Sequence, residues 1–235
     1  MKLSTNLMTT FLLSIAMLFT ACDGSGSSVD STAIVPPAQV TPPTGTGNDI
    51  QSLWDQIDAL PVEPLSDGEL AALSFMREEE KLARDVYLYF HDLWGSQIFI
   101  NISNSEQTHT DAVAHLIEKY GLTDPSLGKL EGEFVDPILL GLYDMLIAQG
   151  TPSLMDALLV GATIEDLDIY DLHRQMIDVD NQDITLVFEM LLKGSRNHMR
   201  SFSSQLEGMN VVYTPVYISQ EEYDSIINSP QETGQ

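Results

Sequence analysis

The chain has 235 residues, 43% of them hydrophobic and 19% charged, which suits one ordinary domain with additional segments. With 35 acids against 10 bases the formal net charge is −25, and no basic stripe is visible, so nucleic acid is excluded as an expected partner. Cys22 is the only cysteine, which removes disulfides and thiolate metal sites from consideration. The first segment begins with Lys2, continues through an apolar stretch from Phe11 to Phe19 and ends in the small residues of "FTAC". A short basic start, a short apolar core and small residues before a cleavage point predict a removed signal segment over 1–21. The apolar stretch is too short for a comfortable membrane-spanning helix.

Cys22 stands where processing is expected, and this arrangement resembles the lipobox of bacterial lipoproteins. The resemblance implies that Cys22 becomes the lipidated first residue and that the protein is anchored to a membrane of the bacterial cell envelope. More than one acyl chain on that residue is what stable anchoring requires. Residues 22–50 are rich in Ser, Gly, Thr and Pro and read as a linker. A flexible chain of that length spans on the order of 30 Å. The folded domain is expected over 51–217, and residues 218–235 are expected to be a tail that ends in the frayed "NSPQETGQ".

Within the domain the signal is helical. "VVYTPVY" near residue 214 is the clearest strand-like run, and its proline argues against a central strand. Phosphate-binding glycine loops, a Gly-x-Ser-x-Gly elbow and a His-Glu-x-x-His motif are all missing. Four segments carry a stripe of alternating three- and four-residue steps, the pattern of a helix that buries one face. In chain order the stripes are Leu73, Met76, Glu80, Ala83, Tyr87, Phe90; Ile102, Glu106, His109, Val113, Leu116, Tyr120; Leu154, Leu158, Gly161, Glu165, Asp168, Leu172; and Ile184, Phe188, Leu191, Ser195, His198, Phe202. Each is apolar at its ends and interrupted by polar residues in the middle. The run from Asp136 to Gly150 reads as a further helix between the two pairs. Glu78 and Glu79 leave the first stripe and are expected to be solvated. His91, His115 and His173 fall away from the polar layer and are expected at the surface or at helix ends.

The matching depth of the four interruptions needs one cause. An unpaired carboxylate in a helical core costs several kcal/mol or takes up a proton. A bound cation removes that cost, because carboxylates and neutral imidazoles are its natural ligands. Glu and His three residues apart lie on one helix face, with Cβ atoms about 5–6 Å apart, so both reach one metal or a pair of metals.

One inward Glu, a Glu-x-x-His and a second half that repeats the idea resemble ferritin-like di-metal carboxylate bundles. "EKLARDVY" resembles the first metal helix of rubrerythrin-type proteins. Together, "FMREEEKLARDVY", "SEQTHTDAV", "VGATIEDLDI" and "GSRNHMRSF" resemble the bacterial ferritin-like family known as domain of unknown function 2202. The resemblance implies an all-α, antiparallel four-helix bundle with a crossover helix. It implies Glu80, Glu106, His109, Glu165, Asp168 and His198 as metal ligands. Ser195 stands where a carboxylate would complete the fourth-helix pair, so one metal position is expected to fill less than the other. The expected cofactor is two iron ions, with manganese the alternative. The functional expectation is a lipid-anchored di-metal protein, with oxidoreductase chemistry on dioxygen, peroxide or Fe(II). A metal-binding or storage module without turnover and a metal-free helical interaction domain stay open as alternatives. The expected partners are metal ions and, through the anchor alone, a membrane; self-association is left open.

Overall fold

The computed structural model describes residues 47–233. The expected signal segment, Cys22 and all of the linker before residue 47 lie outside the described residues. The described chain forms α1 (Gly47–Ala59), α2 (Asp67–Trp94), α3 (Gln97–Lys119), α4 (Pro137–Gly150), α5 (Leu154–Gln175), a short 3-10 turn (Met176–Asp178), α6 (Gln182–Gly208) and α7 (Gln220–Ile227). Among these residues there is no strand, and the fold is all-α. No helix among them is long and apolar enough to cross a membrane.

Local chemistry sets the helix ends. Ser66 and Glu69 close a reciprocal capping box at the start of α2. Gly95, with φ of 64°, ends that helix in the left-handed region, where a Cβ would be strained. Only Gly95 and Ser96 separate α2 from α3, so the chain must reverse. Asp136 caps α4 and Pro137 opens it, the position at which a missing N–H costs nothing. Ser153 caps α5 and Ser219 caps α7 through side-chain acceptors.

The four long helices, α2, α3, α5 and α6, run antiparallel to their neighbours. Phe90 meets Phe99 while Arg84 reaches Gln107, which fixes the opposed run of α2 and α3. Tyr87 reaches Glu165 near one end of the α2–α5 contact, and Glu79 lies against Asp171 further along. Lys119 pairs with Asp183, and Glu106 approaches His198, which opposes α3 to α6. Gly161 packs under Phe202, and Glu165 approaches His198, which opposes α5 to α6. The inner stripes meet in a core that holds Leu73, Met76, Phe90, Phe99, Val113, Leu158, Phe188 and Phe202 fully buried. A ring cluster of Tyr87, Phe90, Phe99 and Phe202 closes one end of the polar layer. α4 lies against α2 and α5, α1 against α3 and α6, and α7 against α6.

Two expectations need correction, and the strand-like run is, in line with its proline, not a strand. "VVYTPVY" is irregular: Val216, Tyr217 and Ile218 give their N–H groups to the Asp166 carboxylate, and the Tyr213 hydroxyl donates to it as well. A buried carboxylate that collects four donors holds the segment without any sheet partner. The folded unit also runs past residue 217. α7 buries Tyr223 and Ile226, and Glu232 receives hydrogen bonds from Arg196 and Arg200 of α6. Finally, Glu78 and Glu79 are buried. Helix α2 is covered by α3, α4 and α5, so its buried face is far wider than one stripe. Glu78 accepts from the N–H groups of Val135 and Asp136 just before α4.

Candidate metal centre

Halfway along the four long helices, Glu80, Glu106, His109, Glu165 and His198 come together in a buried polar layer, and Ser195 is buried one turn before His198 on α6. Helix α3 contributes twice, through residues three apart on one face. His109 Nδ1 lies 2.6 Å from Glu106 Oε2 and 3.2 Å from Glu80 Oε2. His198 Nδ1 lies 2.8 Å from Glu106 Oε1 and 3.4 Å from Glu165 Oε2. Two trios result, Glu80–Glu106–His109 and Glu106–Glu165–His198, each with one ligand-type atom per residue within 4.8 Å of the others. The Glu106 carboxylate belongs to both and turns one oxygen to each histidine.

Many of the converging atoms lack ordinary partners. Glu80 Oε1, Glu106 Oε1, Glu165 Oε2 and His198 Nδ1 are buried with no hydrogen bond. His198 Nδ1 and Glu106 Oε1 stay in that state although they stand 2.8 Å apart. Buried polar atoms are ordinarily paired, so such a set is the donor arrangement that a cation would fill.

The electrostatics of the layer follow from burial and proximity. Burial pushes the Glu80 carboxyl up to about 7, with His109 pulling against it. Burial also works to raise Glu106, but His198 and then His109 outweigh it and hold that carboxylate well below its usual range. The converse holds for the imidazoles. Burial disfavours their charge, yet Glu106 and Glu80 bring His109 up to about 9, and Glu106 and Glu165 raise His198 well above its usual value. Burial raises Glu165, and Asp168 is raised by burial and then by Glu79. With all its carboxyls ionised, the layer would carry more negative charge than its two imidazoles can balance, and burial therefore favours protonation of Glu80, Glu165 and Asp168.

Surrounding groups position the acids. Tyr87 donates to Glu165 Oε1 at 2.5 Å and lies 3.3 Å from the Gly161 carbonyl oxygen, which leaves Glu165 Oε2 toward His198. Gly194 lets α6 approach the His109 ring: a Cβ there would lie 2.3 Å from Cε1 and 2.5 Å from Nε2. Ser195 is buried, with its hydroxyl turned back to the Leu191 carbonyl at 3.1 Å.

A family model described as "Uncharacterized protein domain (DUF2202)" matches residues 69–230. The chain belongs to this family. It is 52% identical over 182 residues to the uncharacterized protein MJ0754 of Methanocaldococcus jannaschii, which covers 77% of this chain and 98% of that protein. It is also similar to the crystal structure of a hypothetical protein MJ0754 from Methanococcus jannaschii, with a TM-score of 0.73 and 53% identity. That match covers 74% of this chain and 99% of the solved one.

Of the residues expected at the site, the structure of this family member brings Glu80, Glu106, His109, Glu165 and His198 into the two trios. Asp168 belongs to neither. It is buried one turn along α5, with Oδ2 unpartnered and Glu79 as the strongest charge acting on it. His91, His115 and His173 are distant from the layer. His91 Nδ1 meets the Ser96 carbonyl, His115 stacks on Trp54 beside Asp58, and His173 is exposed near Glu222. Sequence reasoning missed Glu79, Asp171 and Gly194. Asp171 follows Asp168 at i+3, a spacing that was available as a signal. Nothing in the sequence around Gly194 announces the His109 ring.

Proposed function

We propose that this layer is a di-metal centre in a ferritin-like antiparallel four-helix bundle, with α4 as the crossover helix, and that the metals are iron, with manganese the alternative. The observation that carries the reading is the Glu106 carboxylate shared between two buried trios, one oxygen to each. Glu80, Glu106 and His109 would hold one ion, and Glu106, Glu165 and His198 the other, with Asp168 alongside. Charge supports the same reading. Glu80, Glu106, Glu165 and Asp168 carry four negative charges when ionised, and two divalent cations beside neutral imidazoles bring the set to neutrality. Two imidazolium rings alone leave it two charges short, which is costly in a buried layer.

When bound, such a pair supplies redox and Lewis-acid chemistry toward dioxygen, peroxide or Fe(II). The chain's own part is to hold the carboxylates dry and fixed. The ring cluster of Tyr87, Phe90, Phe99 and Phe202 closes one side, and Tyr87 fixes Glu165 by a hydrogen bond. We place the domain on a membrane of the bacterial envelope through a lipidated Cys22, at the end of the 22–50 linker. Ser195 favours a second reading, a metal-binding module without turnover, because the fourth carboxylate that would complete the pair is missing.

Anaerobic loading with Fe(II), followed by air and an optical spectrum, tests the proposal. The expected result is bound iron and an absorption change that depends on air and is absent from Glu106→Ala. Bound iron without any air-dependent change supports the non-turnover reading. Failure to bind iron or manganese would refute both.

A further inference from the structure

A second group of buried acids adjoins the centre on its α2–α5 side. Glu79 of α2 is 1% exposed, and neither of its carboxylate oxygens has a hydrogen-bond donor. Asp171 of α5 lies within hydrogen-bonding reach of it, so at most a shared proton joins the two. Asp168 stands three residues before Asp171 on the same helix face, with Oδ2 buried and unpartnered. The group leads outward at Asp171, where Arg174, whose side chain is 47% exposed, stands 3.7 Å away. Inward, it leads through Asp168 toward Glu80 and Glu165, whose charges act on Asp168.

We propose that Glu79 and Asp171, with Asp168 shared between them and the paired centre, form a third, weaker position for a divalent cation, a loading position between the surface at Arg174 and that centre. The inference rests on the two-cation reading of that centre. Three features support it. The donor set is oxygen-only, with no imidazole, and therefore suits a hard, partly hydrated divalent ion rather than a fixed redox metal. The three carboxylates do not converge within the 4.8 Å that defines the two trios, so an ion held there would have fewer direct protein ligands and exchange faster. Both Glu79 oxygens and Asp168 Oδ2 are buried without an N–H or O–H donor from a neutral or cationic group, whereas buried polar atoms are ordinarily paired.

Mn(II) titration of the full chain, with free ion followed by electron paramagnetic resonance, tests the position. The expected wild-type result is two tight ions and one weaker ion. Glu79→Gln and Asp171→Asn should each lose the weaker ion alone and slow the filling of the tight pair several-fold. Glu79→Gln conserves volume, and Asp171→Asn lies nearer the surface, so the second serves where the first disturbs folding. A wild-type protein that binds two tight ions and no third overturns this inference and leaves the centre intact. So does a third ion that both variants retain with unchanged loading rates. A wild-type protein without the tight pair overturns the reading of the centre itself.

Discussion

At Gly194 the backbone of α6 comes so close to the His109 ring that any side chain there must displace it. Alanine raises helix propensity by about 1 kcal/mol, but forcing a ring out of a packed layer costs about 1–3 kcal/mol. Gly194→Ala is therefore expected to lower the melting temperature and, because His109 moves off its carboxylates, to lower metal content too. Unchanged metal content and a higher melting temperature would show that the close approach does not matter. Ser195→Glu tests the opposite direction. A carboxylate at that depth should raise occupancy of the second metal position, as elemental analysis would record. A loss of stability with no added metal would show that the extra acid has nothing to bind. Residue-scale legibility in the sequence was uneven. Glu80, Glu106, His109, Glu165 and His198 were visible because each breaks an apolar stripe at one depth. Glu79 was not, because a stripe describes one line of contact, whereas α2 is covered by α3, α4 and α5. A residue beside the stripe then reads as solvated when a neighbouring helix has covered it.

Among the elements, the long helices were legible from periodicity and the C-terminal region was not. Stripes at helical spacing report burial on a long helix, and the ends at Ser66, Gly95 and Pro137 carry recognisable chemistry. The run around residue 214 has strand-forming side chains, yet the acceptor that organises it, Asp166, lies far away in sequence. Helix α7 is short, and what docks the segment after it is the pairing of Glu232 with Arg196 and Arg200. Hydrogen bonds from Arg196, with Arg200 adding to them, hold the Glu232 carboxyl down at about 2 against the opposing effect of burial. A carboxyl with a depressed folded-state pKa contributes stability above its ordinary pKa of 4.5 and loses it as pH falls toward about 2. Glu232→Gln should thus cost about 1 kcal/mol near neutral pH, at the upper end for partly exposed pairs. The difference from wild type should shrink steadily below pH 4.5 and vanish only below about 2. A difference that is constant over that range would show that the carboxylate charge is irrelevant to docking.

For the whole molecule, a net charge of −25 sets a field that concentrates cations and repels anionic surfaces. Such a domain gains little from direct contact with an anionic membrane, so attachment is expected to depend on Cys22 alone. Cys22→Ser should abolish lipid modification and release the protein from the membrane fraction. Unchanged detergent partitioning of that variant would refute the anchor. In the proposed reading, a buried acidic layer, costly when empty, holds two cations through one shared carboxylate. Elemental analysis of the purified wild type beside Glu106→Ala tests it most directly. Iron or manganese is expected in the wild type, at up to two ions per chain, with most of it lost in Glu106→Ala, because Glu106 belongs to both trios. Equal metal content in the two proteins, or none in either after loading, would contradict it.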